Sequence, residues 1–158
     1  MDKVKIAFFD IDGTLLELGK TEITAKTRKA LYALKQNGIK IGIATGRAFA
    51  TIPVFDGIVF DAVLAFNGSF CVADNQIVAK YPIPKDDVQK IIENAKRMGR
   101  PVSIATAEDI VANGSDKDLE DYYAIAHHKV NVSEKFAEYV KTDVFQIMLG
   151  CNLEERKH

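Results

Sequence analysis

The chain has 158 residues, 47% of them hydrophobic and 27% charged, with a formal net charge of −1. This balance is typical of a globular protein of one domain or slightly more, and it excludes a strongly basic surface for nucleic acid or acidic membranes. No apolar run approaches the roughly 18 residues of a membrane span and no signal peptide is visible, so we expect a cytoplasmic protein.

The first half of the sequence alternates strand and helix patterns. The apolar run VKIAFF stops at Asp10, and its aromatic and β-branched residues favour a strand buried on both faces. The pattern then predicts a helix over 25–36, capped by Thr24 and ended by Asn37–Gly38, and strands over 39–44 and 61–66. This succession predicts a parallel sheet wrapped by helices.

The pattern changes in the second half. Two short strands, 70–73 and 76–81, flank Asp74–Asn75 and predict a hairpin. Pro82 and Pro84 indicate a linker, so we place a boundary there and predict domains over 1–82 and 83–158. The second domain is predicted to be a mixed α+β unit, with helices over 85–98, 116–126 and 133–140 and strands over 101–105, 110–112 and 144–149.

Polar or loop-forming residues follow each of the three predicted parallel strands. They are Asp10 with Asp12, Thr45–Gly46–Arg47, and Asn67–Gly68. In open parallel sheets, ligands bind outside the carboxyl ends of the strands. Three successive polar strand ends therefore predict a shared site.

Asp10 and Asp12 are the strongest candidates for chemistry. Asp10 directly follows a nearly continuous apolar run, so we expect it to be desolvated unless it is paired or bound to a cation. Mg²⁺ prefers oxygen ligands and commonly uses one or two carboxylates together with phosphate oxygens. One aspartate can attack phosphorus as a nucleophile, and a second can move protons at the leaving oxygen. The alternative is a pair of turn-forming aspartates, one of which caps a following element.

Three short runs resemble the motifs of one family. DIDGTLL, residues 10–16, resembles the first motif of the haloacid dehalogenase superfamily, DxDGT, and ATGR, residues 44–47, resembles its second motif. FNGS, residues 66–69, with its following hairpin, resembles the Cof-like subgroup, whose members carry a type IIB cap. The resemblance extends to about residue 84 and then to the first part of that cap. It implies an α/β fold with a Rossmann-like parallel sheet core and a partial α+β cap.

The resemblance implies roles for the residues of the first motif. Asp10 would be the nucleophile that forms an aspartyl-phosphate and would ligate Mg²⁺ through its carboxylate. Asp12 would be the general acid/base and would lend its backbone carbonyl to the metal. Gly13 and Thr14 would shape the turn beside the phosphate.

The resemblance also implies roles at the other two strand ends. Thr45 would hydrogen-bond the transferring phosphoryl group, and Gly46 would let the backbone approach it. Arg47, Asn67 and Gly68 match positions near the substrate. The alternative for Thr45 is the N-cap of a following helix. The implied partners are small phosphorylated metabolites such as sugar phosphates, with no nucleic acid and no membrane.

Two further motifs of the superfamily, a lysine and an acidic GDxxND-like run, have no clear match. Lys129 and Lys141 lack the strand–loop context for the lysine. The run 114–118 faintly resembles the acidic motif, but we interpret it as a helix start capped by Ser115 or Asp116. We therefore expect a truncated enzyme. Three explanations remain open: a truncated gene, a protein fragment, or a split enzyme that another chain completes.

Three functional hypotheses remain open. The first is a Mg²⁺-dependent phosphohydrolase, impaired because C-terminal motifs are absent. The second is a catalytically dead remnant that serves as an interaction or oligomerisation module, because a partial sheet exposes an edge and apolar surface. The third is a phosphoacceptor receiver domain, which needs an acceptor aspartate after its third strand. Asn67 stands at that position here, which disfavours the third hypothesis.

Overall fold

The chain divides into two compact units, Met1–Tyr81 and Pro82–His158. The computed structural model describes residues 4–17, 19–125 and 128–151. Each unit contains a buried apolar cluster of its own. Within these described ranges, no helix has the length and apolar character needed to cross a membrane.

The first unit is built on one mixed sheet. Its strand order is β1-β2-β3-β4-β5, in which β1, β2 and β3 pair in parallel and β4 and β5 extend the sheet in antiparallel pairing. The elements are β1 (Ile6–Phe9), α1 (Ala25–Gln36), β2 (Lys40–Ala44), β3 (Ala62–Ala65), β4 (Phe70–Ala73) and β5 (Gln76–Lys80), with a short 3₁₀ helix at Phe49–Thr51 and a tight turn at Phe66–Gly68. The predicted α/β fold class is confirmed.

Helix α1 begins and ends where its sequence signals predict. The Thr24 side-chain oxygen accepts a hydrogen bond from the Thr27 backbone N–H at 3.1 Å, which caps the first turn. The helix ends before Gly38, whose φ of +73° is a left-handed conformation that glycine adopts without strain. Leu31, which is only 2% exposed, joins Ile41 and Ile43 in the buried cluster beneath the helix.

Strand β1 differs from its prediction, since it is not buried on both faces. Ile6 is 36% exposed and Phe8 is 45% exposed, while Phe9 packs against the buried cluster. Among the described strands, β1 lies at the edge of the sheet, and α1 is on the Phe9 side. The Phe8 ring lies over Gly42, where an added Cβ would collide with it. One face of the strand is therefore buried and the other is largely exposed, although the sequence is apolar on both faces.

The predicted hairpin forms between β4 and β5. Asp74 and Asn75 occupy its two-residue loop with φ values of +49° and +61°, the left-handed conformation that Asp and Asn tolerate in such turns. The hairpin continues the same sheet, because β4 pairs with β3. This continuation was not part of the sequence prediction.

The second unit combines helices with a three-stranded antiparallel sheet. The strand order is β7-β6-β8. Its elements are α2 (Lys85–Arg97), β6 (Ser103–Ala105), β7 (Ile110–Ala112), α3 (Lys117–Ile125), α4 (Phe136–Tyr139) and β8 (Gln146–Met148). The helix predicted over 133–140 is shorter than expected, and residue 126, the predicted end of α3, lies outside the described residues.

The run 114–118 forms the start of α3, as interpreted from the sequence. The Asp116 carboxylate accepts a hydrogen bond from the Leu119 N–H at 2.8 Å, which caps the helix. Arg100 pairs with Asp116 at 3.0 Å and with Asp118 at 2.9 Å. These two carboxylates are therefore committed to the helix terminus and to an ion pair.

Replacing Leu31 with alanine tests the packing under α1. We expect the free energy of unfolding to fall by about 2–5 kcal/mol, because a buried leucine loses its contacts and leaves a cavity. The exposed neighbour Lys29 gives a control, and Lys29→Ala should change stability by no more than ~0.5 kcal/mol. Urea unfolding followed by circular dichroism measures both. Equal stabilities for the two variants would show that Leu31 does not anchor the helix.

Candidate active site

The carboxyl ends of β1, β2 and β3 meet around one open pocket of about 410 Å³. Parallel pairing is the reason, because it directs all three strand ends to the same edge of the sheet. The structure therefore brings together residues from all three polar strand ends. The pocket is lined by Asp10, Ala44, Thr45, Gly46, Leu64, Asn67 and Gly68.

The loop after β1 presents Asp10 to this pocket. Ile11 is fully buried and Leu15 and Leu16 are each 3% exposed, so apolar anchors hold the loop against the core. The Asp10 carbonyl accepts the Leu15 N–H at 3.2 Å, which closes the turn. Asp10 itself is exposed, so the expectation of a desolvated carboxylate is wrong. The strand ends at an open pocket, and the next residue, Ile11, is the first of the loop to be buried.

Gly13 and Thr14 lie in the turn of the same loop. Gly13 has a φ of +79°, and its N–H donates to the Leu16 carbonyl at 2.8 Å. Thr14 is exposed, and neither residue lines the pocket. In the structure, both residues form part of the turn. This agrees with the turn-shaping role that the resemblance implies, and their contact with phosphate stays a prediction.

Asp12 forms a two-point ion pair with Arg47. The Arg47 Nε–H donates to Asp12 Oδ2 at 2.9 Å, and the second guanidinium N–H group donates to Oδ1 at 2.7 Å. Arg47 also donates to the Thr51 carbonyl at 3.3 Å, which holds the guanidinium in place. The hydrogen bonds and the charge of Arg47 lower the pKa of Asp12, and the same hydrogen bonds to Asp12 raise the pKa of Arg47. Asp12 is therefore held as a carboxylate.

Thr45 is the buried member of the site, with only 4% of its surface exposed. Its side-chain oxygen accepts the Arg47 backbone N–H at 3.2 Å. The helix-cap alternative for Thr45 is wrong, because the next helix is the 3₁₀ turn Phe49–Thr51, whose N-cap is Ala48. In that bond Thr45 Oγ1 is the acceptor, so the hydroxyl of this pocket-lining residue can still donate one hydrogen bond.

Backbone hydrogen bonds join the loop after β3 to the loop after β2. The Phe66 N–H donates to the Arg47 carbonyl, and the Asn67 N–H donates to the Thr45 carbonyl, each at 3.0 Å. A Cβ added to Gly46 would lie 3.1 Å from Asn67 Oδ1, so glycine leaves room for the Asn67 side chain to lie over that backbone. The two loops therefore form one wall of the pocket.

The partnership of Arg47 with Asp12 is the contact that sequence reasoning missed. Arg47 was placed near the substrate by motif alone, with no role assigned to it. No spacing rule links the two positions, because they come from different strand ends. The available signal was their opposite charges, which follow two neighbouring strands at one edge of the predicted parallel sheet. That signal does not distinguish an ion pair from two separate contacts to substrate.

The fold and the clustered strand ends define a class, the open α/β proteins with an aspartate at the end of the first parallel strand. Residues 7–158 match the family model described as haloacid dehalogenase-like hydrolase. The chain belongs to this family, so the family predicted from the three motifs is confirmed.

Three individual proteins show the extent of the similarity. "Putative phosphatase YkrA" of Bacillus subtilis strain 168 is 30% identical over 156 residues, which cover 97% of this chain and 60% of that protein. The solved structure of BT1666 from Bacteroides thetaiotaomicron, described among phosphatases of the superfamily, is 28% identical with a TM-score of 0.82, and the match covers 98% of this chain and 58% of that one. The sugar phosphatase BT4131, of subclass IIB, is 27% identical with a TM-score of 0.75, covering 98% of this chain and 61% of that one. The chain thus spans about 60% of the length of these relatives.

Removing the guanidinium should raise the pKa of Asp12. In Arg47→Gln, we expect that pKa to move up toward the ordinary aspartate range, because Arg47 supplies the main contacts that favour the ionised form. A ¹³C-carboxyl NMR titration of the metal-free folded protein measures the change. Asp61 gives an internal control, because its pKa is lowered chiefly by the Ile41 N–H and not by Arg47. An Asp12 titration that is identical in both proteins would contradict the ion pair.

The same pair has a defined effect on stability. Since folding lowers the pKa of Asp12, the pair stabilises the protein above the pKa of the unfolded chain, and this contribution is lost as pH falls through the folded value. Half of the Asp12 side chain is exposed, so solvent screening keeps the contribution small.

Proposed function

We propose that the chain carries the aspartate half of a Mg²⁺-dependent phosphohydrolase site that acts on small phosphate monoesters. The observation that carries this proposal is the pocket itself, in which a carboxylate, a buried threonine and a glycine meet at the ends of three parallel strands. Membership in the hydrolase family and the phosphatase names of the relatives support it.

In the proposed reaction, the Asp10 carboxylate attacks phosphorus. A bond forms between an Asp10 oxygen and phosphorus while the bond to the ester oxygen breaks, and the leaving oxygen receives a proton. Water then attacks phosphorus, the bond to Asp10 breaks, and orthophosphate leaves. The Thr45 hydroxyl donates a hydrogen bond to the phosphoryl group, and Gly46 permits close approach of the backbone.

Asp12 is proposed to move the protons in both steps. Its pair with Arg47 holds it ionised, which is the state that accepts a proton from the attacking water. Donation to the leaving group in the first step requires a protonated Asp12, which the same pair opposes. Arg47 therefore has to release the carboxylate during the first step.

The donors at the site fit Mg²⁺ in chemical type. The Asp10 carboxylate and the Asp12 backbone carbonyl are oxygen ligands, and Mg²⁺ commonly binds through one or two carboxylates while it keeps several waters. The Asp12 carboxylate is engaged by Arg47, and no group of three or more acidic, histidine or cysteine residues lies close enough to hold a metal in the described parts of the chain. When bound, the ion neutralises charge on the phosphoryl oxygens.

Replacing Asp10 with asparagine tests the proposed nucleophile. With p-nitrophenyl phosphate and MgCl₂, we expect the rate to fall by at least about 100-fold, because the amide cannot attack phosphorus. Asp56→Asn is the matched control, since Asp56 is exposed in a loop away from the pocket and should retain the wild-type rate. A wild-type rate no higher than that of Asp10→Asn would defeat the catalytic claim for this chain.

A second candidate function, an interaction module, is favoured by one observation. Val4, Ile6 and Phe8 of the β1 region are all substantially exposed, which leaves apolar side chains along a sheet edge. A second copy of the chain, or a chain that completes the site, would cover them. This candidate requires no catalysis.

Sedimentation velocity over a wide concentration range separates this candidate from the phosphohydrolase. Self-association should weaken in Phe8→Lys, because the lysine stem still covers Gly42 while its ammonium keeps the edge solvated. Lys29→Ala on the exposed face of α1 is the control. A concentration-independent monomer for the unaltered chain would count against oligomerisation.

A further inference from the structure

The Asn67 side chain lies in the pocket without a partner of its own. Within residues 4–17, 19–125 and 128–151, its carboxamide neither donates nor accepts a hydrogen bond, although its backbone N–H is bonded to the Thr45 carbonyl. The carboxamide lies over Gly46, and both residues line the same pocket as Asp10. It therefore has hydrogen-bonding capacity available to a ligand in the pocket.

The backbone around Asn67 holds this placement at a conformational cost. Phe66, Asn67 and Gly68 are three consecutive residues with positive φ, at +50°, +56° and +93°. Phenylalanine rarely adopts this conformation, and such residues persist where the surrounding structure dictates them, often at binding sites. Here the dictating contacts are the hydrogen bonds from Phe66 to Arg47 and from Asn67 to Thr45. The strained turn fixes Asn67 beside the buried threonine.

The residues that line the pocket offer an anion neutral hydrogen-bond donors. Asp10 is the one ionisable side chain among the residues that line it, and the nearby guanidinium of Arg47 is paired with Asp12. A phosphoryl group in this pocket thus contacts N–H and O–H donors from the protein. Thr45 supplies one, and the Asn67 Nδ2 group supplies up to two.

We propose that Asn67 is a phosphate-binding residue whose carboxamide donates to a phosphoryl oxygen held between Asp10 and Thr45. This assignment deepens the proposed function and rests on it. Asn67 is neutral, so it orients the phosphoryl group without raising its affinity through charge. Its hydrogen bond is directional, and the rigid turn of residues 66–68 supplies that direction.

Two substitutions at Asn67 test the assignment with orthophosphate as the probe. Asn67→Gly keeps the positive φ and removes the carboxamide, and we expect orthophosphate to bind about 2- to 10-fold more weakly, the loss of one neutral hydrogen bond. Asn67→Asp keeps the shape and the backbone preference but replaces the donor with a carboxylate, so we expect a loss larger than about 10-fold. Backbone amide NMR titrations in the presence of MgCl₂ give the dissociation constants without requiring turnover.

Asn75 provides the matched control. It is an exposed asparagine with a φ of +61° in the β4–β5 turn, and it does not line the pocket. Asn75→Gly and Asn75→Asp make the same chemical changes in the same backbone conformation, with the same change in net charge, and should bind orthophosphate as the unaltered chain does. Unchanged amide shifts of Leu31 and Ile41 show that each variant keeps its fold.

The outcomes separate this assignment from the proposed function. If the unaltered chain binds orthophosphate at the pocket and both Asn67 variants bind it equally well, the role of Asn67 is overturned and the phosphate site stands. If orthophosphate shifts no residue of the pocket in the unaltered chain, both are overturned. Weaker binding in the Asn67 variants alone supports the assignment.

Discussion

The parallel pairing of β1, β2 and β3 is the constraint on which the site depends. Phe9 pairs with Ile43, and Ala44 pairs with Leu64, so the residues after all three strands emerge at one edge. Because side chains alternate between the two faces of a strand, a slip of one residue in either pairing would turn the apolar residues of a strand away from the buried cluster. The energy of the core therefore sets the register, and the register sets the positions of Asp10, Thr45 and Asn67.

The distribution of charge explains why a cation belongs in the proposed reaction. Asp10 faces the pocket as a carboxylate, and the phosphoryl group of a monoester is also negative. Two unit charges about 4 Å apart repel by about 1 kcal/mol in water and by several times more at the lower effective dielectric of a protein surface. Arg47 offsets only part of this repulsion, because its guanidinium is paired with Asp12 at 2.9 and 2.7 Å. A bound Mg²⁺ offsets it, which supports the proposed use of this ion.

Local signals were sufficient to predict much of the fold. Thr24 and Gly38 predicted the start and the end of α1, and Asp74–Asn75 predicted the turn of the β4–β5 hairpin. Each of these residue types favours the backbone conformation that its position requires. The clustering of polar strand ends also followed from the sequence, since it required only the order of the elements and the geometry common to parallel sheets. The family followed from three short motifs.

Features that depend on distant parts of the chain were not predictable in this way. The exposure of Phe8 reflects which side of the sheet α1 covers, and an apolar run carries no information about that. The exposure of Asp10 likewise depends on the openness of the pocket. The pair between Asp12 and Arg47 requires two loops to approach each other, and the charges alone were equally compatible with two separate contacts to substrate.

The position of Arg47 links binding of the phosphoryl group to the state of Asp12 in the proposed reaction. Arg47 follows Thr45 by two residues, and its backbone N–H donates to the Thr45 side-chain oxygen at 3.2 Å. A phosphoryl group that accepts a hydrogen bond from the Thr45 hydroxyl therefore contacts the same short segment that positions the guanidinium. The first step requires Arg47 to leave Asp12, and the second step favours the pair.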